Sequence, residues 1–163
     1  SYLVANFLMP KKVFDGSYDN WVGSPFTFAD LIVAETPYVK TGTYKEEMGS
    51  ILTLYNPYPP ASPGRSLLLA GDREKFASTL VDEMCKLVEQ FQNNLEEVVL
   101  TRWGHAMVIA KPGFFARISK LHKLNPAGTV MLAHNSTEGL PAIESAILAA
   151  RRASRWALAK QPF

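Results

Sequence analysis

The sequence predicts an α+β fold in which a mixed, largely antiparallel sheet is backed by one long helix. Four short apolar runs of strand length are separated by turn-forming segments. One long segment, Asp72–Phe91, repeats its apolar residues at helical spacing. Near the C-terminal end a further short apolar run precedes a polar loop and a second helical pattern, which predicts a strand followed by a helix.

The predicted sheet strands are Tyr2–Met9, Phe28–Glu35, Ile51–Tyr55 and Val98–Ala110. Gly104 lies inside the last run and suggests a bulge there. Asp15–Gly23 is predicted as a polar and aromatic loop, and Thr36–Ser50 as a connection that runs over the surface between two strands. Asn56–Gly64 contains four prolines, which exclude a regular element. It is interpreted as a rigid connection or as the lip of a cleft.

The helix Asp72–Phe91 is the strongest single prediction. Asp72 is a plausible N-cap, and Cys85 is expected to be a buried thiol on the apolar face. That face is lined by Phe76, Leu80, Met84, Leu87, Val88 and Phe91. A second, shorter helix or an irregular apolar segment is predicted over Phe114–Leu121, and a turn over Asn125–Gly128.

Near the C-terminal end, Thr129–Ala133 is predicted as a buried strand and His134–Leu140 as a loop. Pro141 occupies the first position of the predicted helix, where its missing N–H has no cost. The apolar stripe of this helix is Ile143, Ala146, Ile147, Ala150 and Ala153. We expect the chain alone to associate through this stripe or to leave it exposed. A helix N-terminus directs free N–H groups outward, so this end is a candidate anion or cofactor site. The basic residues near its other end, Arg151, Arg152, Arg155 and Lys160, complement the helix dipole.

Composition narrows the classes of function. The 163 residues are 47% hydrophobic, enough to bury a core, and one domain is the default. A net charge of +2 implies no nucleic-acid or anionic-membrane partner. No apolar run approaches the roughly 20 residues of a membrane span. His105, His122 and His134 lack metal-ligand spacing, so no metal site is predicted, and no side chain is assigned a catalytic role.

The segment Thr129–Leu158 resembles the C-terminal flavin-contacting segment of FAD-dependent amine oxidases, nearest to spermidine dehydrogenase-like flavoproteins. The matching residues are Ala133, Asn135, Ser136, Gly139 and the helix start Pro141-Ala142-Ile143-Glu144. The resemblance implies a flavin contact, with cofactor-binding residues His134, Asn135, Ser136, Gly139, Pro141, Ala142 and Ile143. Many family members carry an acidic residue on this turn for the ribityl chain, and this chain has His134-Asn135 instead.

Earlier segments have counterparts in the substrate-domain half of such flavoproteins. They are Tyr2–Phe7, the Asp19-Asn20-Trp21 turn, Leu52–Pro57 and Thr101-Arg102-Trp103-Gly104-His105. The resemblance implies a substrate-domain-like part, 1–125, and a flavin-contacting strand–loop–helix, 126–163, that belongs to an FAD-binding domain. Trp21, Trp103 and His105 are candidate substrate-cleft residues. The alternative places Trp103 in the core and makes His105 an ordinary polar residue.

The family's GxGxxG unit, which holds the ADP half of FAD, is absent from these residues. We therefore expect FAD to be a cofactor of the complete protein and not to bind this chain alone. Since Ser1 leads directly into a predicted strand, we expect the chain to be a piece of a longer protein.

The function implied is the C-terminal portion of a flavin-dependent oxidoreductase, inactive alone, acting on a small molecule such as an amine. Its partner is an FAD-binding N-terminal part or subunit. Two alternatives remain, a stand-alone non-catalytic binding domain and one subunit of a split flavoprotein. Homo-oligomerisation and the cellular compartment stay open.

Overall fold

The computed structural model describes residues 1–59, 63–121 and 128–159. These form two compact units, Ser1–Ala106 and Met107–Phe163, which are described separately. His122, most of the predicted turn Asn125–Gly128, and Lys160 lie outside the described residues. The functional division at 125/126 remains a prediction.

The first unit is built on a five-stranded antiparallel sheet. Its strands are β1 (Tyr2–Met9), β2 (Asp19–Trp21), β3 (Asp30–Val33), β4 (Ser50–Pro57) and β5 (Glu97–Trp103). They lie in the order β2-β3-β4-β1-β5. Every pairing among these described strands is antiparallel. The predicted α+β class is confirmed, and each of the four predicted strands takes part in the sheet.

Two predictions about the sheet were wrong. Asp19-Asn20-Trp21, predicted within a loop, is the edge strand β2, and the Asn20 side chain donates to the Leu31 carbonyl at 2.9 Å, which reinforces the pairing with β3. The last strand does not continue through 105–110, because β5 ends at Trp103 and a turn follows. Trp103 pairs with Tyr2, the first residue of β1, so the ladder has no further partner on that strand.

The helices of the first unit are α1 (Thr36–Lys40), α2 (Gly64–Ala70), α3 (Arg73–Leu87) and α4 (Phe91–Asn94), with a 3₁₀ turn at Glu46–Met48. Of these, α2, α3 and α4 contribute buried side chains to the core against one face of the sheet. The predicted cap is present, since Asp72 accepts a hydrogen bond from the backbone N–H of Glu74 at 2.9 Å. The long helix ends earlier than predicted because Val88 is extended, and Phe91 begins the separate α4. Helix α2 was not predicted.

The core of the first unit lies between the sheet and α3. Alternate residues of β1 are buried, and Phe7 meets Phe91 edge-on with ring centroids 5.0 Å apart. The remaining buried apolar side chains are Leu3, Ala5, Met9, Phe28, Leu31, Val33, Leu52, Leu54, Leu68, Leu80, Met84 and Val88. Cys85, predicted to be buried, is half-buried, and its thiol donates to the Gln92 side chain at 3.2 Å.

The second unit contains α5 (Phe114–Leu121), a 3₁₀ turn at Asn135–Thr137 and α6 (Ile143–Ala159). Both predicted helices are confirmed. The predicted strand Thr129–Ala133 is wrong, because residues 129–133 form a turn and irregular backbone in which Val130 is half exposed. A strand requires a ladder partner, and the described part of this unit contains no strand to supply one.

Candidate functional site

One face of the sheet is packed on helices, and the other carries a row of aromatic side chains. On β1 the second face consists of Tyr2, Val4, Asn6 and Leu8, which are all half-buried. Successive side chains of a strand alternate between faces. The register therefore assigns Tyr55 of β4 and Trp103 of β5 to the same face as Tyr2.

Three of these rings form a continuous row. The ring centroids of Tyr2 and Tyr55 lie 5.0 Å apart, and those of Tyr2 and Trp103 lie 6.1 Å apart. Both separations fall in the range of favourable aromatic pairs. We call this row, with Asp30 and Trp21 on the neighbouring strands, the aromatic face. It presents flat apolar surfaces along the middle and one edge of the sheet.

Carboxylates lie at the other end of the aromatic face. Asp30 pairs across the ladder with Tyr55 on one side and with Trp21 on the other. Desolvation, together with the nearby Asp19 charge, raises the pKa of Asp30 above its usual value. Burial also raises the pKa of Tyr55, with smaller contributions from Tyr2 and Asp30. A cation at this end would relieve the repulsion between the two carboxylates.

The three predicted cleft residues are not brought together. Trp21 and Trp103 share the aromatic face, but they lie on opposite edge strands, four strand spacings or about 19 Å apart. Trp21 is 88% exposed, so nothing within the described residues encloses it. His105 lies in the exposed turn after β5 and not on the strand with Trp103. Tyr2 contacts Trp103 directly, and Tyr55 contacts Tyr2. Neither tyrosine is among the three predicted cleft residues.

The predicted cofactor loop is held by bonds within itself. The backbone N–H of Ser136 donates to Nδ1 of His134 at 3.1 Å. The Thr137 hydroxyl donates to the His134 carbonyl at 2.6 Å. His134 is exposed, whereas Asn135 and Ser136 are half-buried. The imidazole nitrogen Nδ1 is therefore engaged in closing the turn, and the Asn135 amide is the side chain better suited to an external hydrogen bond.

Gly139 is buried and does not present its backbone to a ligand. Its φ of +82° favours glycine, and an added Cβ would lie 2.2 Å from the end of the Ile118 side chain. The prediction that Gly139 contacts a cofactor has no geometric support, since α5 occupies the space beside it.

The start of α6 differs from the prediction, whereas the exposure of its apolar stripe agrees with it. The helix begins at Ile143 and not at Pro141, and the Ala142 carbonyl accepts its first bond, from Ala146, at 3.2 Å. The buried residues of α6 are Ser145 and Ala149. Ile143 is 78% exposed and Ile147 52% exposed, as expected for an apolar stripe without a packing partner in this chain. The predicted stripe is largely an exposed apolar surface.

Polar contacts explain this orientation. Arg152 forms an ion pair with Glu138 at 2.5 Å, and its other terminal nitrogen donates to the Thr137 hydroxyl at 3.3 Å. These contacts fasten the middle of α6 to the loop and direct the Arg152 side of the helix inward. In the sequence pattern, Arg152 only complements the helix dipole, and no spacing rule connects it with residues fourteen and fifteen positions earlier.

No protein-family model matches this chain, and a search of curated proteins finds no significant match. Among the described residues no three His, Cys, Asp or Glu side chains are arranged to hold a metal ion. No described helix combines the length and apolarity needed to cross a bilayer.

Proposed function

We propose that this chain is the C-terminal portion of a flavin-dependent, amine oxidase-like oxidoreductase and supplies its substrate cleft and contacts to the flavin. One observation carries the proposal. The four segments with counterparts in the substrate-domain half of such enzymes, far apart in sequence, contribute β1, β2, β4 and β5 to one sheet. Three of them together build the row Tyr2–Tyr55–Trp103.

The aromatic face suits an organic amine. Ring faces attract cations within about 6 Å of the ring centroid, and the aromatic surface binds the apolar part of a substrate. Asp30 adjoins Tyr55 and supplies a carboxylate for an ammonium group. An amine bound here would have its charge at the Asp30 end and its carbon chain along the rings.

The C-terminal loop and helix fit the proposed flavin contact in part. The bound flavin would accept the hydride from the substrate. The Asn135 amide offers donors and an acceptor for ribityl hydroxyls, and the first N–H groups of α6 are free of intrahelical partners, as at any helix start. Ala142 and Ile143 lie at that start and fit the prediction, whereas the buried Gly139 does not. The donors at the helix start would stabilise negative charge on the flavin pyrimidine edge.

The exposed side of α6 favours a neighbouring polypeptide over a stand-alone binding domain. Ile143, Ile147 and Leu148 are each more than half exposed, and contiguous apolar surface of this kind commonly marks an interface. This supports both a C-terminal portion of one long chain and one subunit of a split flavoprotein.

Two measurements test the proposal. The reading frame upstream of Ser1 should encode a strand–GxGxxG–helix unit, or a neighbouring frame should do so if the enzyme is split. The 163-residue chain purified alone should show no flavin absorbance, whereas the complete or reconstituted protein should bind flavin stoichiometrically. Absence of such a unit from both frames, or stoichiometric flavin on the isolated chain, would contradict the proposal.

A further inference from the structure

A cavity of about 640 Å³ lies in the first unit on the helix-covered side of the sheet. It is bounded by the ends of β1 and β4, by α2 and by the first half of α3. This volume is in the range of small-molecule sites. The cavity is on the opposite side of the sheet from the aromatic face, and the inference drawn from it does not rest on the proposed function.

The walls of the cavity are mainly apolar. Leu3 and Leu80 are fully or almost fully buried, and Phe76 and Leu67 complete the apolar lining. Asp72 and Lys75 at the same site carry opposite charges. Since these charges offset one another, the lining does not favour a ligand of either charge.

One buried polar side chain faces this cavity with unused bonding capacity. Asn56 is 6% exposed, and its Nδ2 donates to the Thr27 hydroxyl oxygen at 3.3 Å. The Thr27 hydroxyl itself donates to Glu83 at 3.0 Å, so its oxygen has only acceptor capacity left for Asn56. This chain of bonds fixes the amide orientation, because only the NH₂ group of Asn56 can then face Thr27.

The Oδ1 atom of Asn56 is consequently a carbonyl oxygen beside the cavity that accepts no hydrogen bond from any described residue. This oxygen is not one of the fully enclosed polar atoms that lack a partner, so it is open to the cavity. A donor brought by a ligand would therefore have direct access to it.

We propose that this cavity binds an uncharged, mainly apolar organic molecule whose N–H or O–H group donates to Oδ1 of Asn56. Pro57 and Tyr58 also line it. They belong to the proline-rich passage interpreted as a rigid connection or the lip of a cleft, and the cavity favours the second interpretation for these two residues.

The test uses two probes of matched shape. N-phenyl-1-naphthylamine is apolar, carries one N–H donor and becomes fluorescent in apolar surroundings, whereas 1-phenoxynaphthalene has oxygen in place of that N–H. The amine, titrated into the full 163-residue chain, should bind at one saturable site. The ether, measured by displacement of the amine, should bind about tenfold more weakly, as expected for loss of one hydrogen bond.

Variants locate the site. Asn56→Leu should remove the preference for the amine over the ether. Thr79→Trp should fill the cavity and weaken both probes at least tenfold, because Thr79 lines it and is itself exposed. Ser78→Trp is the matched control, since Ser78 is exposed on the same helix and is not part of the lining, and it should leave both affinities unchanged.

Several outcomes would overturn the proposal. They are the absence of a saturable site, equal affinity of the wild-type chain for the two probes, and equal weakening by Thr79→Trp and Ser78→Trp. Circular dichroism establishes that each variant is folded. If Asn56→Leu does not fold, the probe comparison on the wild-type chain and the Thr79/Ser78 pair decide the matter.

Discussion

Replacement of Glu83 by alanine should destabilise the first unit by about 3 kcal/mol. The Glu83 carboxylate is buried against the loop that precedes β3. It accepts from the Thr27 backbone N–H at 3.1 Å and from the Thr27 hydroxyl at 3.0 Å. Hydrogen bonds to a charged group contribute about 1.5–3 kcal/mol each, and removal of the carboxylate leaves the Thr27 N–H without its acceptor. The alanine variant no longer has to bury a charged carboxylate, and this gain offsets part of the stability lost with the two hydrogen bonds.

The assay is urea unfolding followed by tryptophan fluorescence in a Trp156→Phe background, where Trp21 and Trp103 report on the first unit alone. Glu83→Gln keeps an acceptor for the Thr27 N–H but loses the acceptor for the Thr27 hydroxyl. Its free energy of unfolding should therefore lie between those of the wild type and Glu83→Ala. Asp82→Ala is the control, because Asp82 is exposed and should change stability by less than about 0.5 kcal/mol. Equal free energies of unfolding for Glu83→Ala and Asp82→Ala would refute the reasoning.

Three further predictions follow from burial, charge and backbone conformation. Phe91→Ala should lower the stability of the first unit by about 3–5 kcal/mol, whereas Tyr18→Ala, half exposed, should change it little, in the same fluorescence assay. Asp30→Asn should stabilise the chain at pH 7, with a gain that vanishes below about pH 3.8, as measured by urea midpoints at pH 7 and pH 3. Folding raises the pKa of Asp30. The stability that this residue contributes is therefore fully present below its unfolded pKa and is lost as pH rises through its folded pKa. Gly139→Ala should destabilise the second unit by at least about 1 kcal/mol, because φ is +82° and Ile118 occupies the Cβ position. Thermal unfolding followed at the single tryptophan of that unit checks this, and an unchanged midpoint would contradict it.

Three of the four strands that the sequence predicted, β1, β3 and β4, have burial that alternates along the strand. All eight residues of β1 were predicted, and their burial alternates without exception. By contrast β2 has only three residues, none of them buried, so no period exists to detect. Helix α2 begins at Gly64, directly after a proline, and its seven residues span about two turns, too few for a periodic signal.

The existence of α6 followed from its periodicity, but the side of the helix that packs within this chain did not. Ile143 and Ser145 are two residues apart, which is about 200° around a helix, so the apolar stripe and the observed buried side are nearly opposite. The apolar stripe would have faced inward if hydrophobic burial alone set the rotation. The Glu138–Arg152 ion pair and the Thr137 contact set it instead. Such contacts between a loop and a helix leave no mark in the spacing of apolar residues.

The aromatic face and the cavity show why sites were harder to predict than strands. Trp103 was a candidate from its own strand, yet its ring neighbours Tyr2 and Tyr55 follow only from the order β4-β1-β5. The orientation of Asn56 depends on Thr27, and that of Thr27 on Glu83, which lies 56 residues further along the chain. Each of these two links is an ordinary hydrogen bond, and only the two together leave the Asn56 carbonyl oxygen without a donor. A site of this kind is a property of the packing of α3 on the sheet, so the sequence indicates its residues only after the fold has brought them together.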